Sequence, residues 1–150
     1  MRLKALMLAS FVAIACRDST APPAVAGSYF LSGVNGQQLP TTIYSVPTAT
    51  IIVIGARILL TPDGNAVLTE TQRYTYQGVT DETPSTYHLK YRVSGANITI
   101  GTFTPCAPNA NCIGAFVGKI VGSTLMLNVG MMGGTPLIYT YERGDPPVLQ

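Results

Sequence analysis

Apolar residues in this chain recur at every second position, and no stretch beyond residue 26 sustains the 3.6-residue period of a helix. The cleanest case is residues 87–93. Tyr87, Leu89, Tyr91 and Val93 fall on one face there, and His88, Lys90 and Arg92 on the other. Successive side chains of a strand point to opposite sides, so this spacing dictates a sheet with one dry and one wet face. Fifteen glycines, eleven prolines and eight tyrosines, with only 11% charged residues, suit strands joined by tight turns.

The turn signals divide the chain into hairpins. Thr61-Pro62-Asp63-Gly64-Asn65 joins residues 56–60 to 66–76, Ser94-Gly95-Ala96 joins 87–93 to 97–103, and Gly122-Ser123 joins 114–121 to 124–129. Residues 27–34, ending at Asn35-Gly36, an apolar β-branched run at 48–54, and a last strand at 137–143 complete the set. The glycine-rich segment 130–134 reads as the loop before that last strand, and residues 37–47 and 78–86 as longer loops. The pattern predicts an all-β domain, a small, mainly antiparallel up-and-down barrel of eight or nine strands. A two-sheet sandwich is the alternative.

The start of the chain reads as an export signal. Met1-Arg2-Leu3-Lys4 is a short positive segment, and the apolar run 5–15 is too short to cross a bilayer core of about 30 Å but suits a signal peptide. It ends in Ala13-Ile14-Ala15-Cys16, which resembles the lipobox of bacterial lipoproteins, with Ala13 where leucine is commonest. The resemblance implies cleavage before Cys16, a lipid on that cysteine and attachment to a membrane. Ala13 and Ala15 also suit ordinary signal peptidase, which would cut the same bond and leave Cys16 bare. Three cysteines cannot all pair, and an odd one in an exported protein calls for an explanation. Cys106 and Cys112, at the ends of a short loop, pair most simply with each other, which leaves Cys16 for the lipid. Residues 16–26 then form the lipidated cysteine and a flexible tether, 27–144 the barrel domain and 145–150 a tail. Arg17 after the cysteine resembles lipoproteins sorted to the outer membrane. Without Arg2 and Lys4, seven basic residues face seven acidic ones, and no basic stripe points to nucleic acid.

A first strand opening Gly27-Ser28-Tyr29, a run of hairpins and Arg143 in the last strand resemble small lipocalin-like, calycin-type barrels. In those, a Gly-x-Trp opens the first strand and a basic residue from the end of the barrel packs across the ring. Here Tyr29 stands for the tryptophan, and the C-terminal helix is missing. The resemblance implies that Tyr29 and Arg143 form a structural pair at one barrel end. The chain is also similar to short uncharacterised bacterial lipoproteins that open Gly-x-Tyr, Val-Asn-Gly and Leu-Pro, matched by Gly27, Tyr29, Val34-Asn35-Gly36 and Leu39-Pro40.

Chemistry is sparse. His88, the single histidine, sits on a charged face, and no Gly-x-Ser-x-Gly elbow is present. The Gly114–Lys119 stretch is one residue short of a phosphate loop and lacks its Ser/Thr. Two cysteines and a distant histidine fall short of a zinc site, and Asp63-Gly64-Asn65 is explained by its turn. Asp81-Glu82 reads as a solvated loop. The expectation is a protein that is not an enzyme and holds no metal or cofactor. Glu70, Gln72, Tyr74 and Tyr76 share a face with Leu68. If that face points inward, the barrel offers polar groups among aromatics to a small ligand; if outward, Val67, Thr69, Thr71 and Thr75 line the core. Met131-Met132 would be an adaptable contact at a barrel rim. Two functions remain: an anchored barrel that binds a small apolar or amphipathic molecule, or a solid barrel whose surface meets an envelope partner.

Overall fold

A strand that buries one face leaves its two edges open, and a meander of such strands removes those edges by curling until first meets last. The computed structural model describes residues 25–103 and 114–144 and has done this. Ten strands follow in chain order: β1 (Gly27–Val34), β2 (Gln37–Gln38), β3 (Thr41–Val46), β4 (Ala49–Leu60), β5 (Asn65–Tyr76), β6 (Val79–Ser94), β7 (Asn97–Gly101), β8 (Phe116–Val121), β9 (Thr124–Met132) and β10 (Thr135–Arg143). Every pairing is antiparallel, and the order runs β1-β10-β9-β8-β7-β6-β5-β4 and back to β1, an eight-stranded closed barrel. The sandwich is excluded. No helix occurs among the described residues, and the architecture is consistent with a lipocalin-like barrel.

The barrel closes at one end and parts at the other. β1 gives its first four residues to β4, with Gly27 opposite Leu60 and Phe30 opposite Arg57. Beyond that point the two strands diverge: Gly33 and Val34 pair with β2, while Ala49 to Val53 pair with β3. β2 and β3, linked through a cis Leu39–Pro40 bond, thus follow the two diverging edges, β2 on β1 and β3 on β4. The parted end is the mouth.

Several sequence expectations need correction. The expected strands at 48–54 and 56–60 merge into one, β4, which starts at Ala49, because Gly55 follows a bulge at Ile54 rather than a turn. Residues 37–47 form β2 and β3, not a loop. Residues 78–86 are mostly strand too: β6 starts at Val79 and pairs with β5 from Val79 to Lys90. Its proline is tolerated because β7 pairs only with Lys90 to Ser94, so Pro84 lies where the other edge of β6 is open. Asp81 and Glu82 are therefore strand residues, and Glu82 pairs with Arg73 at 2.9 Å on the outer face. β9 and β10 extend through most of the expected 130–134 loop and leave Gly133-Gly134 as the turn.

Alternation decides what is inside. Tyr29, Leu31, Ile58, Leu60, Ile98, Ile100, Leu125, Leu127 and Tyr141 are each at most 1% exposed and fill the closed half. Gly118 of β8 permits this density, since a Cβ there would lie 2.0 Å from the Met126 carbonyl oxygen. Lys90, Arg92 and His88 face out. At the closed end Tyr29 lies directly opposite Arg143 in the β1–β10 register. The guanidinium carbon sits 6.0 Å from the Tyr29 ring centroid, and Nη2 donates to the Ala26 carbonyl at 2.6 Å. Gly27 makes room for it: a Cβ at that position would come within 2.8 Å of Arg143 Nε. The Tyr29 hydroxyl donates to the Val25 carbonyl at 2.8 Å.

Candidate functional site

On β5 the inward face reads Ala66, Leu68, Glu70, Gln72, Tyr74 and Tyr76 from the closed end outward. Ala66 and Leu68 are 1% and 5% exposed, and the face turns polar where the barrel parts. Here Glu70 and Gln72 enter a cavity of about 220 Å³. Its apolar wall is Leu68, Phe116, Val129 and Leu137, with Ile43 and Met132 at the rim. Tyr87, Tyr139 and Tyr141 supply aromatic surface. Of the two faces the sequence left open on β5, the one carrying Glu70 points inward.

Two of the lining residues are aimed by bulges, which re-point a side chain where a regular strand would alternate past it. Ile43 is the extra residue between Thr42 and Tyr44 on β3, and on β9 Val129 and Gly130 together oppose the single Leu137 of β10, a bulge that brings Met132 to the lumen side. Asn35 clamps the β10 residues that face the second bulge. Its Oδ1 accepts from the Ile138 N–H at 2.7 Å, its Nδ2 donates to the Pro136 carbonyl at 2.9 Å, and its own N–H donates to the Ile138 carbonyl at 2.8 Å. Asn35 and Gly36 both have positive φ, 49° and 77°, a conformation these two residue types adopt most readily. The Val34-Asn35-Gly36 segment, read from sequence only as a turn, thus shapes the mouth.

The polar groups form a short network. The Tyr139 hydroxyl donates to Glu70 Oε1 at 2.8 Å, and the Tyr74 hydroxyl donates to Gln72 Oε1. Burial, then the adjacent Glu70 carboxylate, pushes the Tyr139 hydroxyl far above its ordinary value, with Gln72 opposing weakly; Tyr139 stays a proton donor. Burial and Glu70 raise Tyr141 and Tyr74 in the same way. Three tyrosines therefore feel the charge of one carboxylate.

Beyond the mouth, β3 to β6 project as a flap whose inner face continues that of the barrel. Val46, Ala49, Tyr76 and Val79 lie directly opposite one another across four strands, and so do Tyr44, Ile51, Tyr74 and Asp81 one row nearer the barrel. Tyr74 and Tyr76 are 42% and 60% exposed, so they stand outside the cavity that takes Glu70 and Gln72. Of the methionine pair, Met131 is exposed and Met132 packs against the core. Cys16, Cys106 and Cys112 lie outside the described residues. No cluster of metal-ligating side chains occurs among the described residues.

A second cavity, of about 420 Å³, lies at the closed end between Tyr29, Arg143, Ile120 and the Gly95-Ala96 turn. It adjoins Val25, the first described residue, where the chain enters the barrel. Comparison with protein-family models, curated proteins and solved structures gives no match.

Proposed function

We propose that this chain is an exported bacterial lipoprotein, anchored through Cys16, whose lipocalin-like barrel holds a small amphipathic molecule in its mouth without transforming it. The observation that carries this is the contrast between the two halves of the lumen. One half is filled by buried side chains, its larger cavity lying only at the outer end beside Tyr29 and Arg143. The other keeps a cavity with apolar and aromatic walls and one polar pole formed by Glu70, Gln72 and Tyr139. Such a combination of apolar wall and few convergent polar groups is what small-molecule sites share. At about 220 Å³ the cavity suits a short alkyl chain or a single ring rather than a long lipid. The polypeptide enters at the closed end, so a tether over residues 16–26 would leave the mouth facing away from an outer membrane and into the periplasm.

The reading is tested by calorimetric titration of the purified domain with 1-octanol. Saturable binding that is lost in Val129→Trp, which fills the mouth, and kept in Val117→Trp, on the outer face, supports it. No heat of binding, or equal binding by both variants, refutes it. A second reading, docking of an envelope protein, is favoured by the flap, where Val46, Tyr76 and Val79 are 38%, 60% and 73% exposed in one row.

A further inference from the structure

The mouth has a charge of one sign. Among the described residues, Glu70 is the only Asp, Glu, His, Lys or Arg lining the cavity. The next charged residue on that face is Asp81, opposite Tyr74 on the flap, and it is also acidic. The cations of the described residues are elsewhere. Arg73 is bound to Glu82 on the outer face, Arg57 reaches Ser28 and the Phe30 ring, Lys90 reaches Asn65, and Arg92 covers Phe103. Lys119 is exposed on β8, and Arg143 is held at the opposite end of the barrel. Among the described residues, Glu70 has one phenolic donor, Tyr139, and no counter-ion.

A carboxylate set among apolar and aromatic walls is a costly arrangement without a partner, and a cation restores what desolvation removes. The walls add to this. Tyr87, Phe116, Tyr139 and Tyr141 line the cavity, and the faces of such rings carry quadrupoles that attract an ammonium group and repel an anion. The charge and the aromatics thus select the same ligand. We infer that the mouth takes an amphipathic organic cation, an alkyl or arylalkyl ammonium, with its nitrogen at Glu70 and its apolar body between Leu68, Phe116 and Val129. The flap rows extend this: Tyr74 with Asp81 repeats the pairing of ring and carboxylate one step farther out and forms an approach path of matching sign.

This inference rests on the ligand-binding reading and adds the charge of the ligand to it. Octylammonium, 1-octanol and octanoate share one tail and differ in head charge, so titrating each into the purified domain separates the two claims. Octylammonium should bind at least about tenfold more tightly than 1-octanol, with octanoate weakest, as expected for one charge-assisted hydrogen bond in a half-dry site. In Glu70→Gln the ratio of octylammonium to 1-octanol affinity should fall to within about twofold, while in Glu82→Gln, on the outer face, it should stay as in the wild type. Equal affinity for octylammonium and 1-octanol in the wild type overturns the inference and leaves the ligand-binding reading standing. So does a preference that survives Glu70→Gln in a variant with unchanged circular dichroism. Failure of all three probes to bind removes both.

Discussion

Tyr139 and Glu70 stand 69 residues apart in sequence and meet across the lumen, the tyrosine hydroxyl donating to the carboxylate over 2.8 Å. The bond links β10 to β5, strands that are not neighbours in the sheet, and it fixes the polar pole of the mouth. Tyr139→Phe keeps the ring and removes the donor. It should lower stability by about 1–2 kcal/mol, the usual worth of a hydrogen bond to a charged, half-buried group, read as a shift of the urea midpoint at constant slope. An unchanged midpoint would mean that water replaces the phenol at no cost.

Alkaline pH should unfold the barrel through the same residues. Burial is the main cause that raises Tyr29, Tyr139 and Tyr141 above the ordinary value of 10.0. Near pH ~10 the unfolded chain releases these protons while the folded protein keeps them, so deprotonation favours unfolding. Stability should be flat below about pH 9.5 and fall above it, by up to ~1.4 kcal/mol per pH unit for each retained proton. Urea unfolding between pH 8 and 11, alongside tyrosinate absorbance, measures this, and Tyr139→Phe should make the fall shallower.

The Asn35 clamp predicts a mutant whose mouth loosens while the barrel stays folded. Asn35→Ala removes the side-chain bonds to Ile138 and Pro136 and frees the β10 residues that face the β9 bulge. Because the clamp is exposed and water can replace part of it, the stability loss should be about 1 kcal/mol. Hydrogen exchange should quicken at Leu137 and Ile138 and stay slow in β7 and β8. Uniform quickening would place the clamp in the core of the fold instead.

Glycine positions separate close packing from conformational freedom. Gly118→Ala would place a methyl 2.0 Å from a backbone oxygen, so β8 and β9 must part, at a cost of more than about 2 kcal/mol. Gly55→Ala meets open space and should change the midpoint little. Gly27→Ala should push the Arg143 guanidinium off the Tyr29 ring and, with the backbone strain of its positive φ, cost more than Arg143→Leu, which should lose about 0.5–1 kcal/mol for a contact open to solvent.

What the sequence disclosed, and what it hid, follows from the range of the forces. The face carrying Tyr87, Leu89, Tyr91 and Val93 was legible because alternation is local, and Thr61 to Asn65 because its turn chemistry is local. The 37–47 and 78–86 segments read as loops because Pro40, Pro84, Gly78 and Asp81 oppose strand formation locally. Pairing with β4 and β5 overrides that preference, and this depends on residues far along the chain. On β5 a polar inward face and a polar outward face look alike in sequence, so Glu70 and Gln72 could be named but not placed. Asn35, Ile43 and Asp81 were missed as parts of the mouth, since a bulge or a cross-strand partner leaves no spacing signature.

The anchor can be checked by fractionation. Cys16→Ser should move the protein from the detergent-extracted membrane fraction to the soluble fraction, and mass spectrometry of the wild type should show an acylated Cys16 at the mature N-terminus. A soluble wild type with a bare Cys16 would leave simple export. Cys106 and Cys112 should resist alkylation until reduced.

The central claim is that a small molecule enters the mouth. Titrating the isotope-labelled domain with 1-octanol and following backbone amide shifts by NMR tests it most directly. The account predicts saturable shifts concentrated at Leu68, Glu70, Phe116, Val129 and Tyr139, with residues around Tyr29 and Arg143 unmoved. Shifts confined to the Tyr29–Arg143 end, or none up to the solubility limit of the alcohol, would contradict it.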